Sequence, residues 1–185
     1  YVNRKGKTYY LHQGTTKTGK PRYHFSQKSE GSLVDVIPEG FEVYENPNSQ
    51  VYLRRVRPKA ITDEEVGAVK RGIKKFSKLT HYLVDVKRKA IRVFTADQDV
   101  DQLAALLSLG ARKEDTQETL ARFITYSPEM EFALVDEEER LFVVRRYCYL
   151  GSIDNWIELD GPGELGKLVK EYARHLGEES FFELH

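Results

Sequence analysis

Gly14-Thr15-Thr16-Lys17-Thr18-Gly19-Lys20-Pro21 is the first stretch whose residue types could do chemistry. Its glycines, hydroxyls and lysines approach a phosphate-binding loop. That loop needs Ser or Thr directly after the last Lys to hold magnesium, and it must open a helix whose amides face the phosphates. Here Pro21 follows and the next segment reads as a strand, so the stretch is a polar hairpin loop. Lys17 and Lys20 in it can still touch a phosphate backbone.

Asp85-Val86-Lys87 is half of a metal-dependent nuclease signature, with Asp63, Glu64 and Glu65 upstream as carboxylates that could converge on Mg²⁺. Glu65 and Lys87 have simpler roles, in a helix cap and a turn. Asp97, Asp99 and Asp101 alternate as calcium-loop ligands do, but the turn Gly and distal Glu of such a loop are missing. A helix N-terminus accounts for them. None of the five histidines pairs at metal spacing, although His12 and His24 can meet across a hairpin. Cys148 reads as a small core residue and Trp156 as core. No cofactor is implied, and the balance leans away from an enzyme.

What remains is basic. Residues 1–90 carry 19 Lys and Arg against 9 Asp and Glu, a surplus of ten positive charges. Residues 91–185 carry 10 against 20, the same surplus reversed, so the whole chain is formally neutral. Lys20, Arg22, His24, Ser26 and Lys28 alternate along one strand face with Tyr23 and Phe25 opposite. Arg54, Arg55 and Arg57 end another strand. Lys70, Arg71, Lys74, Lys75 and Lys78 form one arc of a helix. Lys, Arg and Tyr on strands and a helix suit phosphate contacts and base stacking.

The elements that must position these residues follow from local signals. Residues 7–13 and 22–27 read as a hairpin about the loop 14–19, and 41–45 with 50–55 as a second about Asn46-Pro47-Asn48-Ser49. Thr62-Asp63-Glu64-Glu65 is a capping box flanked by the staple pair Ile61 and Val66. Val66, Val69, Ile73, Phe76 and Leu79 share one helical arc, and the helix is expected to end near Leu79 or Thr80. Residues 82–86 and 90–94 make a third hairpin, and 131–135 with 140–150 a fourth. Asp99 is expected to cap a helix with Leu103, Leu106 and Leu107 on its apolar face and Gly110 beyond it. Residues 112–121 are ambiguous with a helical end expected, 122–126 read as strand, and so do 156–159. Asp160-Gly161-Pro162 is expected to open a last helix buried through Leu165, Leu168, Val169, Tyr172 and Leu176, with Gly177 stopping it. Phe181-Phe182-Glu183-Leu184 is expected to pack back.

The fold class is therefore α+β, antiparallel hairpins with about three amphipathic helices. The expected division is a small β-rich module, 1–59, and an α+β unit, 60–185, with one shared core as an alternative. A single cysteine excludes an internal disulfide and suggests a reducing, cytoplasmic setting. No apolar run is long enough for a membrane span. The chain opens on Tyr1 rather than Met, so an initiator or short leader is expected before it. The leading functional expectation is a non-catalytic protein that binds DNA or RNA through Lys17, Lys20, Arg22, Arg54, Arg55, Lys70, Arg71, Lys74, Lys75 and Lys78. The alternatives are an interaction module for an acidic protein partner or for self-association, and a metal-dependent nuclease.

Overall fold

The computed structural model describes residues 1–107, 119–120, 123–149, 151 and 154–184. The chain is α+β, with antiparallel strand pairing throughout the described residues. It divides into two compact units, one formed by 1–58 with 101–124 and the other by 59–100 with 125–185.

The first unit is built on two hairpins. β1 (Tyr10–Thr15) pairs with β2 (Pro21–Ser26), and β3 (Phe41–Glu45) with β4 (Val51–Arg55). The first strand begins three residues later than the sequence pattern suggests. Asn3 is the reason: its buried side-chain oxygen accepts from the amides of Lys5 and Lys7, which turns the chain before it can extend. The Asn3 amide donates to the carbonyl of Ser49 at 2.7 Å and ties this turn to the β3–β4 loop. Glu45 fixes the same segment, accepting from the Arg4 amide and guanidinium and from the Tyr1 hydroxyl. Burial pushes the Glu45 carboxyl up, but these bonds outweigh it and leave it below the usual range. Leu11 is buried, Tyr23 and Phe25 are half-buried, and Tyr23 packs on Phe41 at 6.3 Å between ring centres.

The helix α2 (Val100–Leu107) starts where Asp99 was expected to cap it. Leu106, expected on its apolar face, is 63% exposed. At 100° per residue it lies about 120° from buried Val100, whereas Leu103 and Ala104 flank that residue. The Leu107 side chain, Gly110, and 112–121 apart from the helical pair 119–120 lie outside the described residues. The strand expected over 122–126 does not form: Phe123 is helical and exposed, and pairing begins only at Tyr126.

The second unit is a five-stranded antiparallel meander, β5 (Tyr82–Lys87), β6 (Ala90–Ala96), β7 (Tyr126–Asp136), β8 (Leu141–Cys148) and β9 (Asn155–Glu164), each strand beside the next. One face carries α1 (Asp63–Phe76) and α3 (Leu165–Tyr172). Ile61, Val69, Ile73, Ile91, Val93, Met130, Phe132, Phe142, Val144, Leu168, Val169, Leu176 and Phe181 form the core between them. The buried Phe181 shows that the tail packs back as expected, while Phe182 stays outside.

α1 begins as the sequence dictates. Thr62 Oγ accepts from the Glu65 amide, and the Glu65 carboxylate returns to the Thr62 amide at 2.8 Å. It ends at Phe76 rather than near residue 79, because Ser77 turns extended (ψ 155°) and donates its hydroxyl to the Leu176 carbonyl. Phe76 is half-buried, and Leu79 reaches the same core from beyond the helix. β9 also departs from expectation. Residues 160–164 stay paired with β8 instead of opening a helix. β9 is an edge strand, which tolerates Pro162. Gly161, at φ 115°, lies so close to β8 that a Cβ there would stand 2.7 Å from the Phe142 carbonyl.

Candidate nucleic-acid interface

α1 sorts its residues by face. Val69 and Ile73 are fully buried, while Lys70, Arg71, Lys74 and Lys75 are exposed; Lys78, expected on the same arc, lies beyond the helix end at Phe76 and is exposed too. Its three acids occupy the first turn, and Lys74 and Lys75 the last, which also suits the helix dipole. Lys78 pairs with Glu178 at 3.1 Å, and the Lys75 ammonium stands 5.2 Å from the centre of the Phe76 ring. Among the described residues, Lys70, Arg71 and Lys74 form no ion pair. Gly67 lies within this arc and bears no side chain. The Arg71 guanidinium folds over it, with Nη1 3.0 Å from where a Cβ would be.

α3 lies alongside α1 and runs the same way. Both N-termini sit near the β7–β8 turn, where Arg140 forks onto Glu65 (2.6–2.9 Å) and Leu141 pairs with Glu164. The C-terminal ends meet through Ser77 and Leu176. The helices touch at Gly72, where an added Cβ would fall 2.0 Å from Val169 Cγ1. Lys170 follows Val169, is exposed, and forms no ion pair among the described residues. It adds a cation beside the arc that sequence reasoning missed, because it sits in the acidic half of the chain. Lys167 and Arg174 are held by Glu164 and Glu171.

The other predicted contacts lie in the first unit. Lys17 and Lys20 stand in the β1–β2 loop and Arg22 on β2, all exposed and without an ion pair among the described residues. The outer face of β2 presents Arg22 and His24 to solvent, as the alternation implies. His12 and His24 meet across the hairpin as stacked rings 5.4 Å apart. His12 Nε2 donates to the Lys28 carbonyl at 3.0 Å, a structural role. Arg54 is bound to Glu42 at 2.8 Å and lies over the Tyr44 ring, and Arg55 lies over Phe41. These two arginines are therefore less available than the loop lysines.

The catalytic alternatives find little geometry. No group of three or more His, Cys, Asp or Glu is placed to hold a metal among the described residues. Tyr82, Val84 and Val86 face the helices, so Asp85 points from the opposite face of the sheet, away from Asp63, Glu64 and Glu65. Asp97 accepts the Thr125 hydroxyl at 2.7 Å. His175 lies 2.9 Å from Ser180 through Nδ1, but Arg174 donates to its Nε2, so the proton is on Nδ1 and Ser180 is the acceptor. That tautomer is the wrong one for activating a serine.

The sheet face opposite α1 and α3 holds a feature no local signal revealed. Asp85, Arg92, Glu131, Arg145 and Glu158 form one cross-strand row through all five strands, alternating in sign. Glu131 is only 3% exposed and sits between Arg92 (2.8 Å) and Arg145 (3.4 Å). Beside this row, Tyr147 packs edge-on to Trp156 and Tyr149, and Arg92 lies over the Trp156 ring. Trp156 is thus half-buried on this face rather than in the core. Cys148, at the end of β8, is likewise half-buried rather than buried. The row consumes its own arginines and carries three acids to two bases, so it does not attract phosphate.

No helix among the described residues is long and apolar enough to cross a membrane. Comparison with protein-family models, with curated proteins and with solved structures found no match to this chain.

Proposed function

We propose that this protein binds nucleic acid without catalysing a reaction on it, and that the outer arc of α1 makes the phosphate contacts. The observation that carries this reading is the group Lys70, Arg71 and Lys74: three exposed cations with no ion pair among the described residues, on a helix whose other face is locked into the core. A buried face keeps the arc rigid, and with no carboxylate paired to it among the described residues each cation can displace a counterion from a phosphate backbone. Lys75 and Lys170 extend the surface toward α3.

The test is a titration of labelled DNA and RNA at several salt concentrations, with Lys70→Gln/Arg71→Gln/Lys74→Gln beside the native sequence. Gln is a good helix former, so folding is expected to survive. Three lost phosphate contacts are expected to make the negative slope of log K against log salt shallower by roughly 2.7 on duplex DNA and roughly 2.1 on a single strand. An unchanged slope and affinity would remove α1 from the interface.

A further inference from the structure

The first hairpin adds a second basic element of a different shape. Residues 1–29 contain seven Lys and Arg and no Asp or Glu; the first carboxylate is Glu30. Within that stretch Arg4 is consumed by Glu45 and Lys5 by the Ile124 carbonyl at 2.9 Å. Lys17, Lys20 and Arg22 form no ion pair among the described residues, and they cluster at the distal end of the β1–β2 ribbon. From Thr15 to Arg22 every residue is exposed except Thr16, which is half-buried, so this end of the ribbon is bare.

The bare end is nevertheless ordered by its own bonds. Thr16 exchanges backbone bonds with Lys20 and Gly19, its hydroxyl accepts from the Lys20 amide at 3.0 Å, and Thr18 meets that hydroxyl at 3.1 Å. Gly19 supplies the left-handed residue, φ 78°, that closes the loop. Arg22 stands directly across from Gly14, so its cross-strand partner on β1 offers no side chain to it. Tyr23 and Phe25 anchor the other face of the strand.

We infer that this ribbon enters the major groove of duplex DNA. Two strands spaced about 4.8 Å apart are narrow enough for a groove roughly 12 Å wide, which admits a two-stranded ribbon. The A-form RNA major groove is too narrow and deep for side chains to read. Lys17 and Lys20 contact the phosphates of the groove walls. Arg22, across from Gly14, is the residue that reaches the guanine edge, where N7 and O6 accept a guanidinium. This rests on the nucleic-acid reading but is separate from the α1 contact.

The test compares the full chain with Lys17→Gln/Lys20→Gln/Arg22→Gln and with the α1 triple variant. Each is titrated by fluorescence anisotropy against a 20-base-pair duplex DNA, a single strand of the same sequence, a duplex RNA and polyglutamate. Methylation of guanine N7 by dimethyl sulfate is then measured on the saturated DNA duplex. The native chain is expected to prefer duplex DNA and to protect N7. The hairpin variant is expected to lose at least tenfold in duplex affinity, with its preference and its N7 protection. The α1 variant is expected to weaken on every nucleic acid alike while retaining protection. N7 left reactive by the saturated native chain overturns groove entry. Equal or tighter binding of polyglutamate overturns the nucleic-acid assignment itself. A normal α1 variant beside a failed hairpin variant removes the α1 contact and leaves the ribbon standing; the converse removes the ribbon alone.

Discussion

Replacing Gly72 by Ala should destabilise the second unit, although Ala is the better helix former. The two effects oppose each other and their sizes decide the outcome. Ala for Gly inside a helix gains about 1 kcal/mol. At Gly72, however, the new Cβ would lie 2.0 Å from Val169 Cγ1 and 3.4 Å from Val169 Cβ. Ordinary carbon contacts are about 3.5–4.0 Å, so α1 and α3 would have to part by more than an ångström or Val169 would have to turn. Val in a helix has one strongly preferred rotamer, and Val169 is 2% exposed with core on all sides. Overpacking of this kind costs about 1–3 kcal/mol and sometimes more. So close an approach puts the cost in the upper part of that range, about 2–3 kcal/mol, and the expected net loss is about 1–2 kcal/mol. In urea, with a slope near 2 kcal/mol/M, this lowers the midpoint by roughly 0.5–1 M without changing the slope. The decisive control is Val169→Ala. In that background Gly72→Ala should be neutral or stabilising, a favourable coupling of about 1–3 kcal/mol. If Gly72→Ala matched or exceeded the native stability, or if the loss persisted without the valine, the proposed close approach of the helices would be refuted.

Thr62→Ala should cost about 1 kcal/mol through the lost cap, measured by the same melts. Burial pushes the Glu65 carboxyl up, but Arg140 and Thr62 outweigh this and hold it below the usual range; its contribution is therefore complete above the unfolded value near 4.5 and lost as pH falls through the folded one, a loss that Glu65→Gln should abolish in a stability–pH series. Burial pushes the Glu129 carboxyl up despite bonds from Thr95 and the Gly177 amide. The folded chain then holds that proton more tightly, so stability falls as pH rises from the unfolded value through the folded one, and Glu129→Gln should melt higher than the native chain at neutral pH with the difference vanishing in acid. Cys148, half-buried, should label with thiol reagent in the folded chain more slowly than in urea but not be fully protected.

The legible parts of this fold are those in which one short stretch contains both partners. The capping box, the hairpin loops and the inward arc of α1 are set by spacings of a few residues, and Thr62, Glu65, Val69 and Ile73 stand where those spacings put them. Misreadings arise where a local signal has two meanings. Pro162 fits the first turn of a helix, but it fits an edge strand equally, and pairing with β8 decides for the strand. Nothing local identifies Gly72 as a helix contact, Arg140 as the partner of Glu65, or the row from Asp85 to Glu158, because each needs the register of distant strands or the approach of two helices. The candidate interface divides in the same way: the α1 arc follows from helical spacing, whereas Lys170 joins it only through the packing of α3 on α1.

The charge division along the chain acquires a physical meaning once pairing is known. Glu131, Glu137, Glu158, Glu164, Glu171 and Glu178 all spend their charge on Lys or Arg within the second unit. Of these partners only Lys78 and Lys89 come from the basic half, so pairing removes two basic-half cations from the pool open to a polyanion and leaves most of the acidic surplus in place. Lys17, Lys20, Arg22, Lys70, Arg71 and Lys74 have no such partner among the described residues. Solvent-exposed charges are screened beyond about 8–10 Å at physiological salt, so an approaching polyanion responds to the local arc and not to the net charge of zero. Formal neutrality thus does not argue against phosphate binding. It does predict weak long-range steering, so a fall in salt should slow dissociation from the α1 arc far more than it speeds association, an asymmetry that stopped-flow binding at two ionic strengths would resolve.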